Sequence, residues 1–124
     1  MAHPEFSCSV SVRQLAEQSD PQTQQYAFAY TVTIRNTGDI TAQLIARHWI
    51  VADANSHIDE VRGLAVVGHQ PLLKPGEHFE YTSWTRIATP NGTMRGTFMC
   101  MTEDAHPFNA PVPEFGLTLA SALH

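Results

Sequence analysis

The chain of 124 residues carries twelve acidic and seven basic side chains, which give a formal net charge of −5. One domain spanning residues 1–124 is expected at this length, and it can bury roughly two-thirds of its unfolded surface. Hydrophobic residues make up 43% and charged residues 15%, a balance that excludes intrinsic disorder, while frequent polar residues exclude a membrane span. The acidic balance provides no basic stripe for a phosphate backbone, so we expect neither a membrane nor nucleic acid as partner.

Alternation of apolar and polar residues is the dominant pattern and predicts β-strands. The two clearest run from Phe6 to Val12 and from Tyr26 to Ile34, where aromatic and β-branched residues recur at every second position. Turn-forming residues such as Pro75-Gly76 separate the further strand-like stretches. These are Ala42 to Ala52, Glu60 to Val67, His78 to Ile87, Thr93 to Met101 and Phe115 to Leu119. The pattern favours an all-β, antiparallel immunoglobulin-like or fibronectin type III-like β-sandwich of about seven strands.

The same period predicts which large side chains are buried. We expect the core to contain Phe28, Tyr30, Val32, Ile34, Trp49, Phe79, Tyr81 and Phe98. Trp84 shares a face with His78, Glu80 and Thr82, which indicates an exposed indole that serves either as an anchor for a partner or as a lid over a sheet edge.

The N-terminus and the two cysteines indicate a reducing compartment. The first five residues contain an acid and no basic-then-apolar run, so we expect no signal peptide and a cytoplasmic location. Cys8 and Cys100 lack a Cys-x-x-Cys spacing and lie in apolar stretches. They are predicted to be reduced and buried.

A longer set of motifs resembles one known family. The run from Glu60 to Pro71, followed by Leu73-x-Pro75-Gly76-Glu77-x-Phe79-x-Tyr81, resembles the central signature of ApaG proteins. The stretches that agree with it elsewhere are Phe28 to Asn36, Thr89 to Gly96, and Pro107 to Phe115. The resemblance implies a fibronectin type III-like fold and a non-catalytic binding or regulatory module, with protein interaction as its main role and a physiological link to cobalt and magnesium tolerance. It implies no enzyme activity, no catalytic residue and no cofactor.

The segment from Arg62 to Pro71 is the candidate site. Gly63 and Gly68 occupy the outer positions of a Gly-x-Gly-x-x-Gly fingerprint, but Ala65 replaces the middle glycine, so a dinucleotide site is not predicted. The two glycines bracket an apolar stretch, and Pro71 cannot donate to a strand ladder, which favours a sheet edge with free backbone groups. The residues predicted to bind a ligand are Arg62, Gly63, Val66, Val67 and Gly68.

Two kinds of ligand fit these five residues, and the sequence leaves both open. Free amides beside Arg62 would hold a phosphate-containing small molecule such as pyrophosphate or a nucleotide. A free edge beside Val66 and Val67 would instead receive a strand of a protein partner. The oligomeric state is left open as well.

Other chemical motifs are weaker. The spacing Asp53-x-Asn55-x-His57-x-Asp59 resembles the opening of a calcium loop, yet Ile58 and Leu64 stand where that loop requires glycine and glutamate. We therefore predict a polar turn, with weak divalent-cation binding as an alternative. The seven histidines show no zinc-ligand spacing, so no metal site is predicted.

Catalytic patterns are absent from the sequence as well. Ser83 lacks a Gly-x-Ser-x-Gly elbow, which leaves an unrecognised hydrolase as the least favoured function. Arg47, Arg62 and Arg95 lie in different predicted strands, where they either converge on an anion or pair with cross-strand carboxylates such as Glu80.

Overall fold

The computed structural model describes residues 2–118, which form eight strands. The strands are β1 (Phe6–Gln14), β2 (Tyr26–Asn36), β3 (Ala42–Asp53), β4 (Ile58–Leu64), β5 (Leu72–Leu73), β6 (His78–Ile87), β7 (Gly92–Thr102) and β8 (Pro107–Leu117). Two short 3-10 helices, Ala16–Gln18 and Pro21–Thr23, lie between β1 and β2.

The strands form two antiparallel sheets, which confirms the predicted fold class. One sheet has the order β1-β2-β6; the other has the order β4-β3-β7-β8, with β5 paired to β3. In the larger sheet, the fourth strand lies beside the third. Because β7 pairs with β3 over its whole length, β4 and β5 share the opposite side of β3.

The largest departures from the predicted strands concern β4, β5 and β8. β5 has two residues and was not predicted, because so short a strand shows no alternation. β8 begins at Pro107 instead of Phe115, and its prolines are tolerated because it is an edge strand. β4 ends at Leu64 instead of Val67, and the residues after it form a turn.

The core lies between the sheets and is centred on Trp49, which is 2% exposed. Its indole ring lies 5.6 Å from the ring of Tyr30 in the facing sheet and 5.6 Å from Phe98 in its own sheet. Seven of the eight side chains predicted for the core are buried, and the eighth, Phe79, is half-buried and packs against them. The predicted register is therefore confirmed.

The cysteines and the second tryptophan lie close to where they were expected. Both thiols are free; Cys100 is buried, whereas Cys8 is half-buried. Burial raises the pKa of each thiol to about 12. Trp84 is exposed as predicted, and the Arg86 guanidinium carbon lies 5.4 Å from its ring centroid.

Residues 2–118 contain no helix that is long and apolar enough to cross a membrane.

Candidate functional site

The candidate site is the edge of the larger sheet formed by β4. Within residues 2–118, β4 pairs with β3 alone, so its other side has no neighbouring strand. Every residue of β4 except Gly63 is exposed. Apolar side chains contribute to this exposure, since Ile58 is 57%, Val61 43% and Leu64 73% exposed.

The hydrogen bonds at both ends of β4 show which of its backbone groups face outward. Asp53 N–H donates to the His57 carbonyl, and Ala65 N–H donates to the Ile45 carbonyl. In an antiparallel ladder, alternate residues bond to the same neighbour, so positions 59, 61 and 63 also bond to β3. The N–H and C=O groups directed away from β3 therefore belong to Ile58, Glu60, Arg62 and Leu64, and of these the Leu64 carbonyl already accepts a hydrogen bond from an arginine side chain.

On the outer face of the sheet, β4 presents four side chains. The polar pair Glu60 and Arg62 lies between the apolar Ile58 and Leu64. Glu60 Oε1 lies 2.9 Å from His48 Nε2 on β3 and 3.6 Å from Arg62 Nη2. The hydrogen bond with His48 is the main reason that the pKa of Glu60 lies below its ordinary value. Arg62 therefore already has a carboxylate beside it.

The guanidinium of Arg47 packs directly against Gly63. A Cβ at position 63 would lie 2.9 Å from Arg47 Nη1 and 3.1 Å from Nη2. The space allows Arg47 to extend under the edge strand, where Nη1 donates to the carbonyls of Leu64 and Ala65, each at 2.9 Å. The absence of a side chain at position 63 is thus explained by packing against Arg47.

The residues after β4 form a tight turn. Val66 and His69 exchange two backbone hydrogen bonds, of 2.8 and 2.9 Å. The two residues between them, Val67 and Gly68, have φ angles of 48° and 80°, the signs that a type I′ turn requires. Glycine accepts such a φ without strain, whereas a β-branched residue does not.

The turn separates the two valines of the candidate site. Val66 is fully buried in the core, while Val67 is 57% exposed. The apolar stretch that was expected to continue the edge strand is thus a turn, and Val66 is unavailable to a ligand. Arg62 and Val67 expose their side chains, whereas Gly63 leaves room for the Arg47 guanidinium and Gly68 accepts the positive φ of the turn.

The three arginines that either converge or pair are not brought together as a group, although Arg47 and Arg62 line one open cleft beside Gly63. Arg62 lies opposite His48 in the ladder, on the outer face of the sheet, whereas Arg47 lies on the inner face beside Gly63. Arg95 lies opposite Ile50, two residues further along β3. The suggested cross-strand carboxylate, Glu80, instead accepts a hydrogen bond from Thr33.

The acidic stretch after β3 is a hairpin turn. Asp53 Oδ1 accepts hydrogen bonds from the backbone N–H of Asn55 at 2.8 Å and of His57 at 2.9 Å. A cleft of about 260 Å³ lies beside this turn, lined in part by His57, Asp59 and Arg86. In the part of the chain that the structure describes, no three His, Cys, Asp or Glu residues are grouped so that they could hold a metal ion.

The protein is thus an antiparallel β-sandwich in which the seven-residue strand β4 has no neighbouring strand on one side within residues 2–118. The family model for the ApaG domain matches residues 16–102. A Protein ApaG from Ralstonia nicotianae is 59% identical over 124 residues and covers 100% of both chains. Another, from Bordetella pertussis, is 55% identical over 97% of this chain and 92% of the relative.

A solved structure shows the same fold. The crystal structure of the putative ApaA protein from Bordetella pertussis has a TM-score of 0.91 and 55% identity over 94% of this chain and 95% of that one. The chain belongs to the ApaG domain family, which confirms the resemblance seen in its motifs.

Proposed function

We propose that this protein is a non-catalytic binding module that receives an extended segment of a protein partner along the free edge of β4. The observation that supports this proposal is the row of outward backbone groups at Ile58, Glu60, Arg62 and Leu64, which have no neighbouring strand within residues 2–118. Such groups bind an added strand through main-chain hydrogen bonds, while side-chain contacts give specificity.

The five candidate residues have different roles in this proposal. Arg62 contributes its backbone groups and its exposed side chain, and Val67 offers an apolar contact where the edge ends. Gly63 leaves room for Arg47, while Gly68 and the buried Val66 hold the turn in place. The link to cobalt and magnesium tolerance would then act through the partner.

A phosphate-containing ligand is less well supported. Glu60 lies 3.6 Å from Arg62 Nη2, and its carboxylate would repel an anion bound there. With pyrophosphate at millimolar concentration, we expect no heat in isothermal titration. Binding that Arg62→Ala weakens by about 1–3 kcal/mol would instead favour an anion site.

The strand-addition proposal is tested with extended peptides selected from a displayed random library. Arg62→Pro removes an outward N–H without removing a bond to β3, so it should abolish binding of a selected peptide while the fold survives. Arg62→Ala loses the same side chain but keeps that N–H, so as the matched control it should bind more tightly than Arg62→Pro. Val67→Lys tests the apolar contact at the end of the edge.

Circular dichroism would establish that each variant is folded. A selected peptide that binds Arg62→Pro as tightly as Arg62→Ala would contradict the proposal, as would a failure to select any peptide that competes at this edge.

A further inference from the structure

The sequence of β4 is complementary to itself in antiparallel orientation. When Ile58–Leu64 is paired with a second copy about Val61, Glu60 of each copy lies opposite Arg62 of the other, and Ile58 lies opposite Leu64. Val61 of one copy then lies opposite Val61 of the other copy at the two-fold axis. A shift of the pairing by two positions in either direction would place Glu60 opposite Glu60, or Arg62 opposite Arg62, and like charges directly opposite are unfavourable.

We propose that the segment received by the β4 edge is the β4 strand of a second copy of this chain, so that two larger sheets join into one continuous sheet across a two-fold axis. This inference rests on the proposed strand-addition function and identifies its partner. A two-fold contact of this kind uses the same surface on both subunits and closes on itself. It also covers an edge that would otherwise be open to aggregation.

The backbone groups permit this register. The outward groups of β4 belong to its even-numbered residues, from Ile58 to Leu64, because the odd-numbered ones bond to β3. Pairing about Val61 matches even-numbered residues with even-numbered residues, so Glu60 and Arg62 form hydrogen-bonded pairs. A shift of one residue would match outward groups with groups already bonded to β3, and no ladder would form.

The inner face of β4 provides a further match. In this register, Asp59 of the second copy lies opposite Gly63, where the Arg47 guanidinium reaches toward the edge. Arg47 is half-buried and forms no ion pair among residues 2–118. A carboxylate beside Gly63 would supply the counter-charge that a half-buried cation requires.

Charge reversal tests the register. Glu60→Lys alone, or Arg62→Glu alone, places like charges opposite each other in both symmetric pairs. Each variant should therefore dimerise about tenfold more weakly than the wild type in sedimentation velocity. An equimolar mixture of the two variants restores opposite charges in both pairs and should recover dimers of wild-type affinity. This recovery also controls for loss of the His48–Glu60 hydrogen bond.

Cross-linking tests the axis. Val61→Cys places two thiols in a non-hydrogen-bonded pair, with Cα atoms about 4.5 Å apart, which suits a disulfide. We expect a covalent dimer on mild oxidation. Ile58→Cys is the matched control, because its two copies would lie about 20 Å apart along the paired strands and should not cross-link. The wild type should not cross-link either, since burial raises the pKa of both native thiols to about 12.

The outcomes separate this inference from the function on which it rests. A monomer at every concentration, with no Val61→Cys cross-link, overturns the inference; the function survives if a selected peptide still binds the wild type and not Arg62→Pro. A dimer that the charge reversals leave unchanged uses another surface and also overturns the inference. Loss of both dimer and peptide binding refutes both.

Discussion

The substitution Gly63→Ala tests how the edge strand is held. Its Cβ would lie 2.9 Å from Arg47 Nη1, a contact so close that the guanidinium must move. Arg47 would then lose its hydrogen bonds to the carbonyls of Leu64 and Ala65, each 2.9 Å long. Together these bonds contribute about 2–3 kcal/mol, less than two independent bonds to a charged donor, because the same nitrogen donates both.

An opposing term reduces this loss. Gly63 does not have a positive φ, so alanine fits the backbone and gains about 0.4–1 kcal/mol by restricting the unfolded chain. The expected net effect is a free energy of unfolding lower by about 1–2 kcal/mol. Urea unfolding followed by tryptophan fluorescence measures this difference directly.

A double-mutant cycle provides the control. In an Arg47→Ala background no guanidinium remains to be displaced, so Gly63→Ala should be neutral or stabilising, by up to about 1 kcal/mol. The expected coupling energy is therefore about 2 kcal/mol. An equal loss of stability in both backgrounds would refute the assigned role of Gly63.

Further predictions concern the turn at Val67, the two thiols and Trp84. Val67→Asn should raise the free energy of unfolding by about 1 kcal/mol in urea, because Val67 has a φ of 48° and asparagine accepts the left-handed region more readily; a destabilised variant would contradict this. Because burial raises the pKa of Cys8 and Cys100 from 9.0 to about 12, both thiols should react slowly with a disulfide reagent until urea is added, and two fast thiols would contradict their burial. As the pH rises, the thiols of the unfolded chain lose their protons before those of the folded chain. The two thiols should therefore leave the free energy of unfolding unchanged below pH 9.0 and lower it as the pH rises toward about 12. Trp84→Ala should leave peptide binding unchanged in titration, because Trp84 lies on the smaller sheet. A loss of binding would indicate that the peptide binds to that sheet instead of to β4.

Period-two patterning predicted the sandwich and most of its core, because a strand with one buried face shows that face in its sequence. β3 shows why the prediction was incomplete. A β-bulge between Leu44 and Ala46 shifts the register, so Leu44 and Trp49 are both buried although they are five positions apart. Arg47 lies two positions before Trp49 and therefore on the same inner face, so a charged side chain stands where the alternation would place an apolar one.

The candidate site was predicted in part. The glycines and Pro71 pointed to an edge, and β4 is one, but the edge exists because β7 occupies the other side of β3. That arrangement depends on pairing between distant strands. The turn at Val67 was not predicted, because a valine at positive φ contradicts its local preference and is imposed by the surrounding fold.

Amide hydrogen exchange, followed by NMR in dilute protein and with a bound partner strand, tests the central claim most directly. The N–H groups of Val61 and Gly63 bond to β3 and should be protected in both states. Those of Glu60 and Arg62 should exchange rapidly in the isolated subunit and become protected when a selected peptide or a second copy binds. Unchanged exchange at Glu60 and Arg62 in a sample shown to be bound would contradict strand addition at this edge.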